Sequence, residues 1–288
     1  MTGTAPIATT HMVRELAPAS TQPIEGWHCT HFFYHWDRNE LAGMSDTLRQ
    51  VGIQDFESLL ASDGIMAPQR LQVSIVSGHR ADFALMLMDP DPLRIDALHQ
   101  ALLASRLGRA MRCVYSFVSL SEVSEYVPTP AQFGARLVAE GLDVDSATYQ
   151  SKLKAYTDRE VEMRNQRLWP TFPDWPVTCF YPMNKKREVG ANWFSLPFEK
   201  RAELMSVHGR SGMAFAGKVA QLITVAVGLD DWEWGVTLWG RNPQFLKEIV
   251  YRMRFDEASA LYAEFGPFYV SYPCAVRKML EHCRIALP

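Results

Sequence analysis

The chain has 288 residues, of which 48% are hydrophobic and 21% charged, with a formal net charge of −3. That length is long for one domain and short for three, and the apolar share is ample for a real core. The slight acidity argues against a nucleic-acid binder, since phosphate affinity comes from massed Lys and Arg, so any basic cluster is local and suited to a small anion. Five cysteines, at 29, 113, 179, 274 and 283, are scattered without C-x-x-C spacing. They read as free thiols in a reducing compartment. Residues 1–23 are rich in Thr, Ala and Pro, lack a basic n-region and an apolar h-region, and read as a disordered extension. No run approaches the roughly 18 apolar residues a membrane helix needs, and the expected location is cytoplasmic.

Residues 24–120 form the first unit. Trp27 to Trp36 predicts a strand, on which His31 and His35 share one face and have a surface or rim role. Asp37 to Ala61 has helical spacing, with Gly52 as its expected break. Leu71–Ser77 and Ala81–Met88 predict two strands around Gly78. A helix opened by Asp91-Pro92 and a strand over Met111–Leu120 follow. The order is βαββαβ, a ferredoxin-like unit. Residues 121–176 predict a helical connector, broken by Pro128, Pro130, Pro170, Pro173 and Pro176.

Residues 177–288 repeat the pattern. Val177–Tyr181 is a strand that runs out into a loop, and Leu196–His208 is a helix with Ser195 as its cap. Val219–Val227 and Trp234–Trp239 are paired strands, Asn242-Pro243 opens another helix, and Pro267–Tyr272 closes the unit. The halves echo each other: Gly78, Asp82 and Asp91-Pro92 line up with Gly228, Trp232 and Asn242-Pro243. Two such units predict an α+β fold in which the repeats pack sheet to sheet as a dimeric α+β barrel.

The chemistry concentrates in this second half. Tyr181 is followed at once by Lys185, Lys186 and Arg187. The run reads either as a solvated face or as cations that pair with carboxylates. His208 is isolated, between His99 and His282. It is either a helix-terminal His favoured by the dipole or a single imidazole ligand to haem iron. Gly209, Gly212 and Gly217 leave room for a flat macrocycle. Gln221 interrupts an apolar strand, where an amide needs a partner. Trp232, Trp234 and Trp239 suit core, pocket wall or subunit interface equally.

The segment Tyr181-Pro-Met-Asn-Lys-Lys-Arg187, the helix ending Met205-Ser-Val-His-Gly-Arg210, Gly228-Leu-Asp-Asp-Trp-Glu-Trp-Gly235 and Met253-Arg-Phe-Asp-Glu-Ala-Ser259 occur in order. Together they resemble the coproheme decarboxylases, the haem-biosynthetic branch of the chlorite dismutase superfamily. The resemblance spans roughly Gly26 to Tyr272. It implies oxidative removal of two propionates of Fe-coproporphyrin III, leaving vinyl groups and haem b, with hydrogen peroxide as oxidant. It also implies His208 as proximal iron ligand, Tyr181 as redox-active tyrosine, and Arg167, Tyr149, Lys185, Arg254 and Ser259 as propionate contacts. Pro182, Met183 and Asn184 complete the substrate-binding segment. Gln221 matches the distal residue, where chlorite dismutases carry Arg. Further implications are a homopentamer and a transient contact with ferrochelatase. The rival readings are a chlorite-dismutating or general haem peroxidase, and a non-catalytic haem-binding protein.

Overall fold

The computed structural model describes residues 19–286, so most of the extension expected at 1–23 lies outside it. The first half runs β1 (His28–Trp36), α1 (Arg38–Gly43), α2 (Asp46–Leu59), β2 (Arg70–Val76), β3 (Phe83–Asp89), α3 (Pro92–Ala104) and β4 (Met111–Ser121). Helices α4 (Pro130–Ala139) and α5 (Ala147–Leu168) connect it to the second half. There follow β5 (Val177–Lys185), the small hairpin β6 (Arg187–Glu188) and β7 (Ala191–Asn192), α6 (Phe198–Met213), β8 (Val219–Val225) and β9 (Trp234–Gly240). The chain ends with α7 (Pro243–Met253), α8 (Glu257–Ala260), β10 (Ala263–Phe265), β11 (Tyr269–Pro273) and α9 (Val276–His282).

Local chemistry explains most boundaries. Asp91 caps α3 by accepting from Leu93 N–H and Asn242 caps α7 by accepting from Gln244 N–H, each followed by Pro in the first turn. The early helix breaks at Met44–Ser45 rather than at Gly52, because Ser45 caps α2 through Leu48 N–H. Gly52 is buried inside α2, where a Cβ would meet Leu107 at 3.0 Å. Ser195 does not cap α6. Its hydroxyl donates to Asn192 O, and Pro197 takes the N-cap position without a side-chain bond. Strand β5 continues four residues past Tyr181, held by β9 on one side and β10 on the other.

Each half has the same strand order, β4-β1-β3-β2 in the first and β11-β5-β9-β8 in the second. The two sheets do not face each other as separate layers. They join edge to edge, β4 to β8 through Leu120–Val225 and Ser121–Thr224, and β11 to β2 through Ser271–Val76, Tyr272–Ile75 and Pro273–Ser74. Both seams together close the sheet into a barrel.

Because side chains alternate across a strand, closure gives every strand an inner and an outer face. Inside lie Phe33, Phe117, Phe180 and Tyr269, all buried. Their polar neighbours satisfy one another: Thr178 with Ser271 at 2.6 Å, and Ser119 donating to Thr224 at 2.8 Å. His31 belongs to this interior rather than to a rim. It stacks on Phe180 at 4.1 Å and shares a hydrogen bond with Thr237 at 2.9 Å. Burial lowers its pKa to about 3, so it stays neutral. His35, on the same face of β1, is half-exposed and pairs with Asp82. Among the thiols, Cys29, Cys179 and Cys283 are buried, Cys113 is exposed, and all are free.

The halves are related inside the barrel by a stacked pair, Tyr115 and Tyr269, with centroids 5.4 Å apart and planes 7° apart. Tyr115 pairs in register with Phe33, and Tyr269 with Phe180. Tyr34 is therefore the counterpart of Tyr181. In the first half the space above it is solid: Tyr34, Phe32 and Trp36 pack with Ile53, Phe56, Leu98 and Leu102, and Tyr34 bonds His99 at 2.8 Å. The second half instead keeps an opening between sheet and helix.

Interior packing sets a test of closure. A Cβ at Gly235 would lie 2.4 Å from a ring carbon of Phe117, and overpacking of this kind costs about 1–3 kcal/mol. Gly235→Ala is expected to lower Tm by several degrees in thermal unfolding, and an unchanged Tm would show that the interior has slack.

Candidate functional site

The outer faces of β5, β8 and β9 make one wall of a cavity of about 980 Å³, at the upper end of small-molecule sites. Strand register orders this wall in rows. Gln221 and Leu238 stand in one, Ile223, Val236 and Tyr181 in the next, and Val225, Trp234 and Met183 in the third. The opposite wall is α6, which contributes Met205, His208 and Gly209. A Cβ at Gly209 would meet nothing within 4 Å, so the helix surface beside His208 is open. At Gly212, one turn on, the two walls approach: an added Cβ would sit 3.9 Å from Gln221 Nε2. Gln221 finds no protein partner for its side chain among the described residues and faces the cavity.

His208 lies inside α6 rather than at its end. Its Nδ1 is 3.0 Å from Asp256 Oδ2 and 3.5 Å from Ser259 Oγ. A carboxylate accepts only, so Nδ1 carries the proton and Nε2 keeps its lone pair. Burial alone would raise the Asp256 carboxyl, but hydrogen bonds from His208 and from Ser259 hold it below its usual value. Asp256 also caps α8 by accepting from Ser259 N–H at 3.0 Å, which fixes its position. An imidazole backed by a carboxylate is the usual arrangement of a metal-ligating histidine. Among the described residues no three His, Cys, Asp or Glu gather as a metal cluster. The donor set therefore suits a metal that arrives already held by a macrocycle and needs one protein ligand.

Tyr181 is 5% exposed and stacks on Phe268 at 4.4 Å. Burial raises its pKa, nearby Cys179 adds to this, and Arg254 opposes it, so the phenol keeps its proton. Arg167 lines the cavity from the end of α5. It has no ion pair or side-chain hydrogen bond among the described residues, and burial lowers its pKa. A desolvated guanidinium without a partner calls for an anion. Lys185 also lines the cavity; its ammonium donates to Ala258 O at 3.1 Å and lies 4.1 Å from the Trp193 ring centroid. Arg254 is exposed at the rim, over the Phe265 ring at 4.7 Å, and Ser259 lines the pocket.

Several expected contacts are not brought here. Tyr149 sits at the far end of α5 from Arg167, about 27 Å away at the helical rise, with its hydroxyl against Gly134 of α4. Pro182 points to the barrel side, beside Gly266. Asn184 accepts from Glu233 N–H, Arg187 pairs with Glu233, and Lys186 does not line the cavity. Of the glycines, Gly217 serves a turn at φ +75° instead of the pocket. The tryptophans divide: Trp234 is pocket wall, Trp239 fills one end of the barrel, and Trp232 packs near Gly266. Sequence reasoning missed Asp256, although Asp-x-x-Ser is a capping pattern in a segment already singled out. It also missed the mouth, where Arg201 of α6 donates to Tyr126 Oη at 3.2 Å and faces Glu125 at 3.7 Å.

A closed α+β barrel with one carboxylate-backed imidazole, a facing amide and unpaired cations defines a porphyrin-binding barrel. The Chlorite dismutase family model matches residues 49–273, and the chain belongs to that family. It is 32% identical over 266 residues to the coproheme decarboxylase of Oceanobacillus iheyensis, covering 91% of this chain and 97% of that protein. With the coproheme decarboxylase of Staphylococcus carnosus it shares 33% identity over 257 residues, 88% and 94% of the two chains. A solved haem-binding protein from Thermus thermophilus superposes with TM-score 0.69 at 32% identity, over 91% of this chain and 99% of that one. A mutant chlorite dismutase from Candidatus Nitrospira defluvii, at 15% identity and TM-score 0.67 over 90% and 96% of the two chains, shares the fold.

The carboxylate behind His208 should matter directly. Asp256→Ala is expected to weaken ferric porphyrin binding by about 10- to 100-fold, read from a Soret titration. Unaltered affinity would mean that Asp256 only caps α8.

Proposed function

We propose that this protein is a coproheme decarboxylase, which converts two propionates of Fe-coproporphyrin III to vinyl groups and yields haem b at the expense of hydrogen peroxide. The observation that carries this is Tyr181: a buried, protonated phenol in the cavity wall, in a pocket that also holds Lys185 and an Arg167 with no partner among the described residues. Each step removes two electrons and one proton from a propionate as carbon dioxide leaves, and peroxide takes up the two electrons, that proton and a second proton from solvent to become two waters. The substrate's own iron supplies the oxidising chemistry.

The protein's residues divide the remaining work. His208 offers Nε2 to the metal, with its orientation set by Asp256. Arg167, Lys185, Arg254 and Ser259 hold carboxylates, the cations through charge-assisted bonds that are stronger than neutral ones. Tyr181 relays the oxidation to a propionate and moves its phenolic proton as it does so. Gln221 hydrogen-bonds the oxidant without charge. That lack of charge argues against the rival reading, dismutation of chlorite, for which an oxygen-electrode assay with chlorite is the direct check. A non-catalytic haem carrier would leave Tyr181 beside the clamps without a task. By family membership the proposal extends to a cytoplasmic homopentamer that meets ferrochelatase transiently. No helix among the described residues is long and apolar enough to cross a membrane.

Mass spectrometry of the bound porphyrin before and after peroxide tests the function. Tyr181→Phe is expected to bind coproheme with wild-type affinity and to form no vinyl product. Full turnover by that variant would remove the tyrosine from the mechanism. His208→Ala is expected to change the Soret band of the bound ferric porphyrin, and an unaltered spectrum would assign the iron to another residue.

A further inference from the structure

The basic run Lys185 to Arg187 is not a single cluster, and one residue divides it. Glu233 lies on the loop between β8 and β9 and is 7% exposed. Its Oε2 accepts from Lys185 N–H at 3.2 Å, and its Oε1 pairs with the Arg187 guanidinium. Its own N–H donates to Asn184 Oδ1 at 2.9 Å, and its carbonyl accepts from Ala226 N–H at 2.7 Å. The carboxylate thus ties the Lys185 N–H at the end of β5 to the Arg187 side chain of β6, while the Glu233 backbone ties the Asn184 side chain to the end of β8.

This bracket has two effects on the pocket. Alternation along β5 sends Tyr181, Met183 and Lys185 to the cavity side, and pinning Asn184 and Lys185 N–H keeps that register to the strand's last residue. The Lys185 side chain then reaches Ala258 O and the Trp193 ring. Arg187, meanwhile, is neutralised outside the cavity and does not compete for anions. Without Glu233 the Arg187 guanidinium would lose its carboxylate partner beside the pocket.

We propose that Glu233 is a positioning residue: it withdraws Arg187 from the anion-binding set and holds the end of β5 so that the Lys185 ammonium meets a substrate carboxylate. The proposal rests on the porphyrin carboxylate reading of this pocket. Burial pushes the Lys185 ammonium down to about 8, against the opposing pull of Asp256. The other charged and titratable groups on elements around Lys185 are Glu233 and Arg187, Glu257 of α8, Glu264 of β10, Tyr262, and across the cavity Tyr181, His208 and Arg201. An ammonium binds an anion only while protonated. Affinity for an anionic porphyrin should therefore fall as pH rises through about 8.

The test is binding of metal-free coproporphyrin to the full chain, followed by fluorescence from pH 6.5 to 10. In the wild type a step in affinity near Lys185's pKa is expected, and Lys185→Met should lack it. Glu233→Gln keeps the side-chain volume but removes the charge that holds both the Lys185 N–H and the Arg187 guanidinium. It is expected to weaken binding about tenfold at pH 7 and to shift the step from its wild-type position. Arg187→Gln, which leaves Glu233 in place, should bind within twofold of wild type. An unmoved step and unchanged affinity in Glu233→Gln would overturn the proposal, as would a tenfold loss in Arg187→Gln. A different outcome, wild type and Lys185→Met binding alike at every pH, would instead strike the carboxylate-clamp reading itself.

Discussion

Closure of the barrel at its two short seams is the constraint on which everything else depends. Once β4 meets β8 and β11 meets β2, no strand of the two halves has a free edge in the main circuit. Each side chain is then assigned to the interior or to a helix-covered outer face. Phe180 and Tyr181 are neighbours in sequence, yet one stacks in the barrel against His31 while the other lines the cavity. A slip of one residue in β5 would exchange them and destroy both environments at once. The inner polar pairs, Thr178 with Ser271 and Ser119 with Thr224, make such a slip costly because each would lose its buried partner.

The duplication explains why there is one site and not two. Both halves place a tyrosine at the same strand position under a helix layer. In the first half, Ile53, Phe56, Leu98 and Leu102 fill the space over Tyr34. In the second, the facing helix presents His208 and Gly209, and the sheet presents Gln221, Ile223 and Val225. Smaller or polar groups at those positions leave volume that apolar side chains occupy in the other copy. Beside the opening, Leu246 and Ile249 of α7 still pack against the same sheet.

Electrostatics then sets what can enter. A chain of net charge −3 collects Arg167 and Lys185 around one cavity while Glu233 and Asp256 occupy the charges next to them. Arg167 is the telling case, since its desolvation is not offset by any described protein partner. Glu233, Asp256 and Glu125 pair with Arg187, His208 and Arg201, and neither inner cation has a carboxylate partner among the described residues.

Much of this was legible in the order of residues. Alternation and helical spacing located the strands and helices, Asp91-Pro92 and Asn242-Pro243 marked two helix starts, and the βαββαβ order appeared twice. The segment from Tyr181 to Arg187 and the helix around His208 were among the motifs that carried the family resemblance, which in turn pointed to Arg167 and Gln221. Local signals failed where a long-range partner decided the outcome. Tyr181 looked like a strand's end because Pro182 interrupts the pattern, but β9 and β10 extend the strand to Lys185. His31 looked peripheral because a strand alone does not say which face will be enclosed. Tyr149 shares a helix with Arg167, and only the direction of α5 shows that it cannot share a pocket. The sequence by itself determined the elements, their duplication and the chemical identity of the imidazole, phenol and amide. Tertiary structure alone decided which cation of the basic run faces a ligand and what stands behind His208. Both depend on carboxylates 48 residues away in the chain, Glu233 behind Lys185 and Asp256 behind His208. Pairing at such separation is settled by barrel closure and burial, which no local pattern encodes.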